Sequence, residues 1–181
     1  ACMDLIYMDK NGIEKGVLLN YHLDLDCGKT NDFQITVGIY NNVLKHTDRF
    51  YIEDTEYGGI IDSVRSDTRA SKIYYSGRTW RGILSKKIIR PLPGDDYYVV
   101  SGEANAIIKE LIEYVGLDDL FVVKSTTNIH INTYRFNRYT DLLSGINAML
   151  KTAGAKLKIR YRDRFVELTA EPVVDYSDEM E

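Results

Sequence analysis

FYIEDTEYGGIIDSVRSDTRASKIYYSGRTWRGILSKKIIR, residues 50–90, is the stretch whose reading decides the fold. Phe50, Tyr51 and Ile52 form a short apolar run that ends in a charged turn and then Gly58-Gly59. Ile60, Ile61 and Val64 carry a second run to the polar turn at Asp67 and Thr68, and a third, Lys72 to Ser76, stops at Gly77. Runs rich in β-branched and aromatic residues, separated by short polar turns, predict three strands in an antiparallel meander. After Gly77 the period changes: Trp80, Ile83 and Leu84 recur at helical spacing and predict a short helix laid against the sheet.

Upstream, more strands are expected. Leu5 to Met8 and Ile13 to Asn20 flank Asp9-Lys10-Asn11-Gly12, and an Asn-Gly pair between apolar runs signals a hairpin. Tyr21, Leu23 and Leu25 alternate with His22, Asp24 and Asp26, as do Phe33, Ile35 and Val37 with Gln34 and Thr36; each is the pattern of a half-buried strand. Residues 43–49 fit a helical turn or a loop.

Downstream, Pro91, Pro93, Gly94, Asp95 and Asp96 crowd into one short segment, which predicts a linker and a domain boundary. Beyond it Ala104, Ile107, Ile108, Leu111, Ile112 and Val115 form one helical stripe, with Ser101 as the expected cap and Gly116 as the stop. Residues 126–134 fit an exposed strand or a long loop. Leu142, Leu143, Ile146, Met149 and Leu150 form a second stripe, with Thr140 as the expected cap and Gly154 as the stop. Leu157, Ile159 and Tyr161 alternate with Lys156, Lys158 and Arg160, turn at Arg162-Asp163, and return through Phe165, Val166 and Leu168. The expected class is α+β: an antiparallel, β-rich, barrel-like domain over residues 1–90, then a small α+β domain of two helices plus a hairpin over residues 91–181.

Composition narrows function. The chain has 181 residues, 44% hydrophobic and 28% charged, enough to bury a core. A net charge of −4 argues against non-specific binding to nucleic acid or an anionic membrane. No apolar run approaches the length of a membrane span, and no secretory leader pattern is present. Two cysteines, Cys2 and Cys27, make no disulfide framework. Fourteen tyrosines against five phenylalanines fit half-buried sheet faces or protein interfaces, because tyrosine pairs an apolar body with a polar tip.

Chemistry-bearing motifs are sparse. His22, His46 and His130 lie in three separate elements with no zinc spacing, and no cofactor fingerprint or nucleophile elbow appears. Asp24 and Asp26 share a predicted strand face, the residue type that glycoside hydrolysis or cation binding uses, although such charges also protect a strand edge. Two groups stand out as candidate interfaces. Arg78, Trp80 and Arg81 lie in GRTWRG, near Arg65, Arg69 and Lys72. Tyr134, Arg135, Phe136, Arg138 and Tyr139 lie in TYRFNRYT, and arginines with aromatics dominate the energetic centres of interfaces. Packing inside the chain is the rival explanation for the second group. A basic run at Lys156, Lys158 and Arg160 reads as solvated sheet surface, because Tyr161 falls on the opposite face.

The opening MDLIYMDKNG, the step YYSGRTWRGILSKKII and the closing VELTAEPVVDYSDE resemble siphophage and prophage tail-associated proteins of the baseplate hub. In that family a strand ends in glycine, a basic residue, a hydroxyl residue and a large apolar one, followed by a second apolar and basic step. Gly77, Arg78, Thr79, Trp80, Ile83, Leu84, Lys87 and Ile89 stand at the matching positions, with Lys87 where arginine is common, and Asp175-Tyr176-Ser177 matches near the end. The resemblance implies a structural, non-catalytic protein at the tail tip: a trimeric ring of barrel-like domains around the channel, joined to the tail tube or the distal tail protein. It implies no cofactor, no metal, no membrane insertion and no specific nucleic-acid binding. Family members are longer, so an N-terminal fragment or an early-ending gene product is expected. Two alternatives remain: a cell-wall or glycan hydrolase using Asp24 and Asp26, and a non-catalytic glycan or peptide binding module around residues 134–139.

Overall fold

The computed structural model describes residues 4–174. Two compact units divide the chain, Ala1–Lys86 together with Arg160–Val166, and Lys87–Ile159 together with Glu167–Glu181. The Asp175-Tyr176-Ser177 match and Cys2 lie outside the described residues.

The first unit is built on a seven-stranded antiparallel sheet in the order β2-β1-β5-β6-β7-β4-β3. Its strands are β1 (Leu5–Met8), β2 (Glu14–Leu18), β3 (His22–Leu25), β4 (Asp32–Gly38), β5 (Arg49–Ile52), β6 (Gly58–Asp67) and β7 (Lys72–Thr79). The expected hairpin joins β1 to β2. Asp9 closes its turn by accepting from the backbone N–H of Asn11 at 2.8 Å and of Ile13 at 3.0 Å, while Gly12 takes the positive φ of 81° that the turn demands. The expected meander is present as β5-β6-β7. Two non-local ladders complete the sheet, β1 with β5 and β4 with β7. Residues 43–48 form a loop and Arg49 already belongs to β5; in the loop Leu44 is buried and the Asp48 carboxylate accepts from Lys45 N and Lys15 Nζ.

This sheet curls, and the chain's own reach requires it. β2 and β3 are the two ends of the strand order, six strand spacings apart, which in a flat sheet is about 28 Å. Only residues 19–21 join them, and four residue steps span at most ~14 Å. Phe33 on β4 and Phe50 on β5 lie three strands apart in the order, yet their rings meet edge to face at 4.6 Å. Leu5, Leu18, Ile35, Ile61 and Tyr75 join them in one buried cluster on the inner face. No ladder joins β2 to β3 among the described residues, so the expected barrel-like domain is a curled sheet left open between those two strands, not a closed barrel.

The second unit mixes helices and short sheets, as the class predicted. β9 (Val99–Glu103) pairs with β11 (His130–Arg135), which settles residues 130–135 as strand. β8 (Ile88–Ile89) pairs with β12 (Thr140–Asp141). β13 (Ala155–Arg162) and β14 (Phe165–Pro172) form the terminal hairpin, whose tip, Arg160–Val166, belongs to the first unit, and β10 (Phe121–Val122) adds to β14. Helices α2 (Ala104–Tyr114) and α3 (Leu142–Thr152) bury the expected stripes. Their caps differ from those expected. Ser101 and Thr140 lie in β9 and β12, and the capping carboxylates are Glu103 and Asp141. Glu103 accepts from the N–H of Asn105 and Ala106, and also from Thr127 N and its hydroxyl, so one carboxylate ends the strand, starts the helix and anchors a loop. Four donors outweigh the burial that would otherwise raise its pKa, and they hold it below the usual value. Gly116, at φ 77°, stops α2 with the paired bonds Gly116 N to Glu113 O and Leu117 N to Ile112 O, a Schellman closure.

Candidate functional site

GRTWRG sits where β7 leaves the sheet and enters α1 (Trp80–Ser85). Thr79 caps that helix, accepting from Gly82 N at 3.2 Å, while its own N–H and hydroxyl both donate to Asn31 O at 3.0 and 2.7 Å. Gly82 lies so close to the same carbonyl that a Cβ there would stand 2.2 Å from it. Strand, helix and the turn before β4 are therefore knotted at one backbone oxygen, and only glycine fits at position 82.

Arg78 is consumed by the fold. Ile61 faces Gly77 and Ser63 faces Ser76, so Asp62 is the extra residue of a β-bulge in β6. Its carboxylate accepts from Arg78 N at 3.1 Å, Nε at 2.9 Å and Nη2 at 2.9 Å. A bulge raises local twist, so this bidentate clamp fixes the bend that curls the sheet. Partial burial alone would raise the Asp62 pKa; the Arg78 bonds and charge reverse that and hold it below the usual carboxylate value. Arg81 pairs with Glu56 at 2.9 Å. Trp80 is 1% exposed, which corrects its assignment as an interface residue: the indole stacks on Tyr161 at 5.7 Å, and Tyr161 stacks on Tyr51 at 4.5 Å. All three rings belong to the first unit, and Tyr51 Oη donates to Glu14 at 2.9 Å. Arg78, Trp80 and Arg81 thus form an internal junction, and the arginines meet carboxylates of their own chain.

TYRFNRYT splits differently. Phe136 is 1% exposed and packs edge to face on Tyr134 at 5.0 Å and on Tyr98 at 6.2 Å, so it is core and not contact surface. Tyr134 is half-buried. Arg135 points outward, its guanidinium 4.4 Å from the Tyr97 ring, beside a cleft of about 380 Å³ lined also by Leu92, Asp95, Asp96 and Val99. Arg138 and Tyr139 are exposed side by side, the guanidinium 5.8 Å from the ring. Of the five residues proposed in this segment, Arg135, Arg138 and Tyr139 can reach a partner.

The other candidates are dispersed. Asp24 is exposed on β3, 3.2 Å from His22 Nε2. Asp26 lies past the end of β3 with its carboxylate on the Thr30 hydroxyl at 2.8 Å, so the two do not act as a strand-borne pair. Lys156 and Lys158 flank Glu171 at 3.6 and 4.0 Å. Among the described residues no group of three or more His, Cys, Asp or Glu is placed to hold a metal ion, and no helix is long and apolar enough to cross a membrane. Sequence reasoning passed over Asp62, Asn31 and the fully exposed Tyr40. A lone acid inside the Ile60-to-Val64 run was the one signal for Asp62, and nothing in the pattern distinguishes Tyr40 from other turn tyrosines.

No family model matches the sequence, and no curated protein matches it. Solved structures do. The tail protein from Neisseria meningitidis MC58 aligns over 91% of this chain and 44% of its own, at 16% identity and a TM-score of 0.53. The 43 kDa tail protein of prophage MuSo2 from Shewanella oneidensis aligns over 93% of this chain and 54% of its own, at 11% identity and a TM-score of 0.55. The chain spans about half the length of these proteins and shares their fold.

Proposed function

We propose that this chain is a structural, non-catalytic part of a phage or prophage tail, placed at the tail tip as part of the baseplate hub. Copies form a ring, a trimer, around the channel and join the tail tube or the distal tail protein. They assemble in the bacterial host cytoplasm and end in the virion. The observation that carries this reading is the fold shared over more than nine-tenths of the chain with two tail proteins. The junction supports it. The arginines of GRTWRG meet carboxylates within the chain, and Trp80 is packed in the core. The outward Arg135, Arg138 and Tyr139 supply the residue types that partner contacts favour. Co-expression with the tube and distal tail proteins of the same phage, followed by absolute mass measurement of purified complexes, tests it. A ring-sized complex is expected, weakened by Arg135→Ala with Tyr139→Ala. Absence of any complex, together with absence of the chain from purified tails, would overturn it.

A further inference from the structure

We propose that the end of the first unit bearing Tyr40 and the β6–β7 turn docks on a second copy of this chain, at that copy's β3–β4 turn. The contact is head to tail. The inference rests on the reading of the chain as a self-assembling tail component and says which surfaces meet.

The sheet has two unlike ends. β7 and β4 run side by side from Lys72 opposite Gly38 to Arg78 opposite Asp32, six residues or about 20 Å. The β6–β7 turn therefore lies at one end of this strand pair, and the β3–β4 turn at the other. Residues 64–72 carry Arg65, Arg69 and Lys72 against Asp67 alone, a net +2. The Asp67 carboxylate is turned onto the N–H groups of Arg69 and Ala70. Residues 23–32 carry Asp24, Asp26 and Asp32 against Lys29 alone, a net −2.

Among the described residues these charges do not pair with a Lys, Arg, Asp or Glu, as others in the unit do. Lys15 pairs with Asp48, Arg78 with Asp62 and Arg81 with Glu56. At the basic end Arg65 lies over the Tyr74 ring at 4.2 Å, and all three cations there are exposed. At the acidic end Asp26 and Asp32 both reach the Thr30 hydroxyl at 2.8 Å, which has one proton to give, and Asp24 meets His22. A separation of about 20 Å exceeds the ~8 Å screening length at physiological salt, so within one copy the two ends do not neutralise each other.

An aromatic anchor sits on the basic end. Tyr40 is fully exposed, in a loop held from several sides. Ile39 N donates to Ser71 O, which ties the loop to the β6–β7 turn. Asn41 Nδ2 donates to Leu19 O at 2.7 Å, and Asn42 accepts from Tyr75 Oη at 3.0 Å. An exposed tyrosine on a loop tied to a cation-bearing turn supplies the residue types of an interface centre. The acidic end offers it the half-buried Leu23 and Leu25 between Asp24 and Asp26. Each copy gives one end and receives the other, so the contact closes into a ring or runs on as a filament, according to its rotation.

Sedimentation velocity on the full chain, across a wide concentration range at low and high salt, tests this. Self-association is expected at low salt and is lost as salt rises. Arg69→Glu with Lys72→Glu makes both ends negative, and Asp24→Lys with Asp26→Lys makes both positive. Each double variant should weaken association by at least about tenfold, because like charges then face each other. Mixing the two variants should restore association, a result that misfolding would not produce. A wild type that stays monomeric at low salt, or double variants that associate as wild type does, would overturn the proposal. Binding of the same preparations to tail proteins separates the outcomes: a chain that binds them but fails here keeps its tail role and loses this contact.

Discussion

Gly77→Ala tests whether GRTWRG is scaffold. A Cβ at position 77 would stand 1.9 Å from Ile60 O and 2.9 Å from Asp62 N, both backbone atoms of β6. Ordinary contact begins at 3.4 Å, so the two strands must part by roughly 1.5 Å at the bulge. That stretches the ladder bonds on either side and pulls Asp62 from Arg78. Two or three weakened bonds cost about 1–1.5 kcal/mol each, and the lower entropy of the unfolded alanine chain returns about 0.4–1 kcal/mol. The expected loss is about 1–4 kcal/mol. Gly38 is the control. It lies on the paired strand, has no atom within 4 Å of the added Cβ and no positive φ, so Gly38→Ala should stabilise by about 0.4–1 kcal/mol. The assay is urea unfolding followed by fluorescence, because Trp80 is the sole tryptophan and is buried in the first unit. With a urea slope of about 2 kcal/mol/M, Gly77→Ala should lower the midpoint by roughly 0.5–2 M. A midpoint equal to wild type, or one shifted no further than that of Gly38→Ala, would refute the close-approach argument.

Asn105 is 1% exposed; its amide donates to Ser125 O and Thr169 Oγ1 and accepts from Ala170 N at 2.8 Å. Asn105→Ala removes the partner of the Ser125 carbonyl and of the Ala170 N–H and should cost about 2–4 kcal/mol by calorimetry, with a loss under 1 kcal/mol counting against it. Asp62 and Glu103 both have folded pKa values below the usual carboxylate values of 3.8 and 4.5, so the stability they add is present above those values and lost as pH falls through the folded ones. Urea midpoints should fall below about pH 4.5, less steeply for Asp62→Asn, and an identical acid limb for the two proteins would contradict the clamp. Tyr51, Tyr75, Tyr98 and Tyr161 are pushed above the usual tyrosine value of 10, chiefly by burial, with Glu14 adding to the effect at Tyr51 and Glu110 at Tyr98. Alkaline absorbance titration should show a late-ionising component from these four, with stability falling as pH rises above about 10, and a single step near pH 10 would refute it.

Local order was readable and long-range order was not. The Asn11-Gly12 turn, the meander and both helical stripes are written in turn chemistry and period, which act over a few residues. The ladders β1–β5 and β4–β7 join strands some forty residues apart, and no pattern within either strand names its partner. The caps failed for a related reason. Ser101 and Thr140 are good cap residues, but α2 and α3 begin at Ala104 and Leu142, so the cap position falls on Glu103 and Asp141, whose carboxylates accept from first-turn N–H groups. The open edge between β2 and β3 followed from strand order alone, and strand order lay beyond the sequence.

Of the candidate interface residues, Trp80 and Phe136 are core. Arginine beside an aromatic marks a place where a charge is partly stripped of water against an apolar surface, and an interface and an internal junction need this equally. What separates them is the partner. Arg78 and Arg81 have carboxylates on neighbouring elements, Asp62 and Glu56, whereas Arg135 and Arg138 lie over rings of their own surroundings, Tyr97 and Tyr139. A guanidinium over an aromatic face keeps its edge donors available, and a bidentate ion pair uses them. Outward Arg135 and Arg138 therefore retain hydrogen-bonding capacity for another chain, while Arg78 has spent its own on the bulge. By the same argument Arg65, stacked on Tyr74 at the basic end of the sheet, belongs with Arg135 and not with Arg78, although it lies close to Arg78 in sequence.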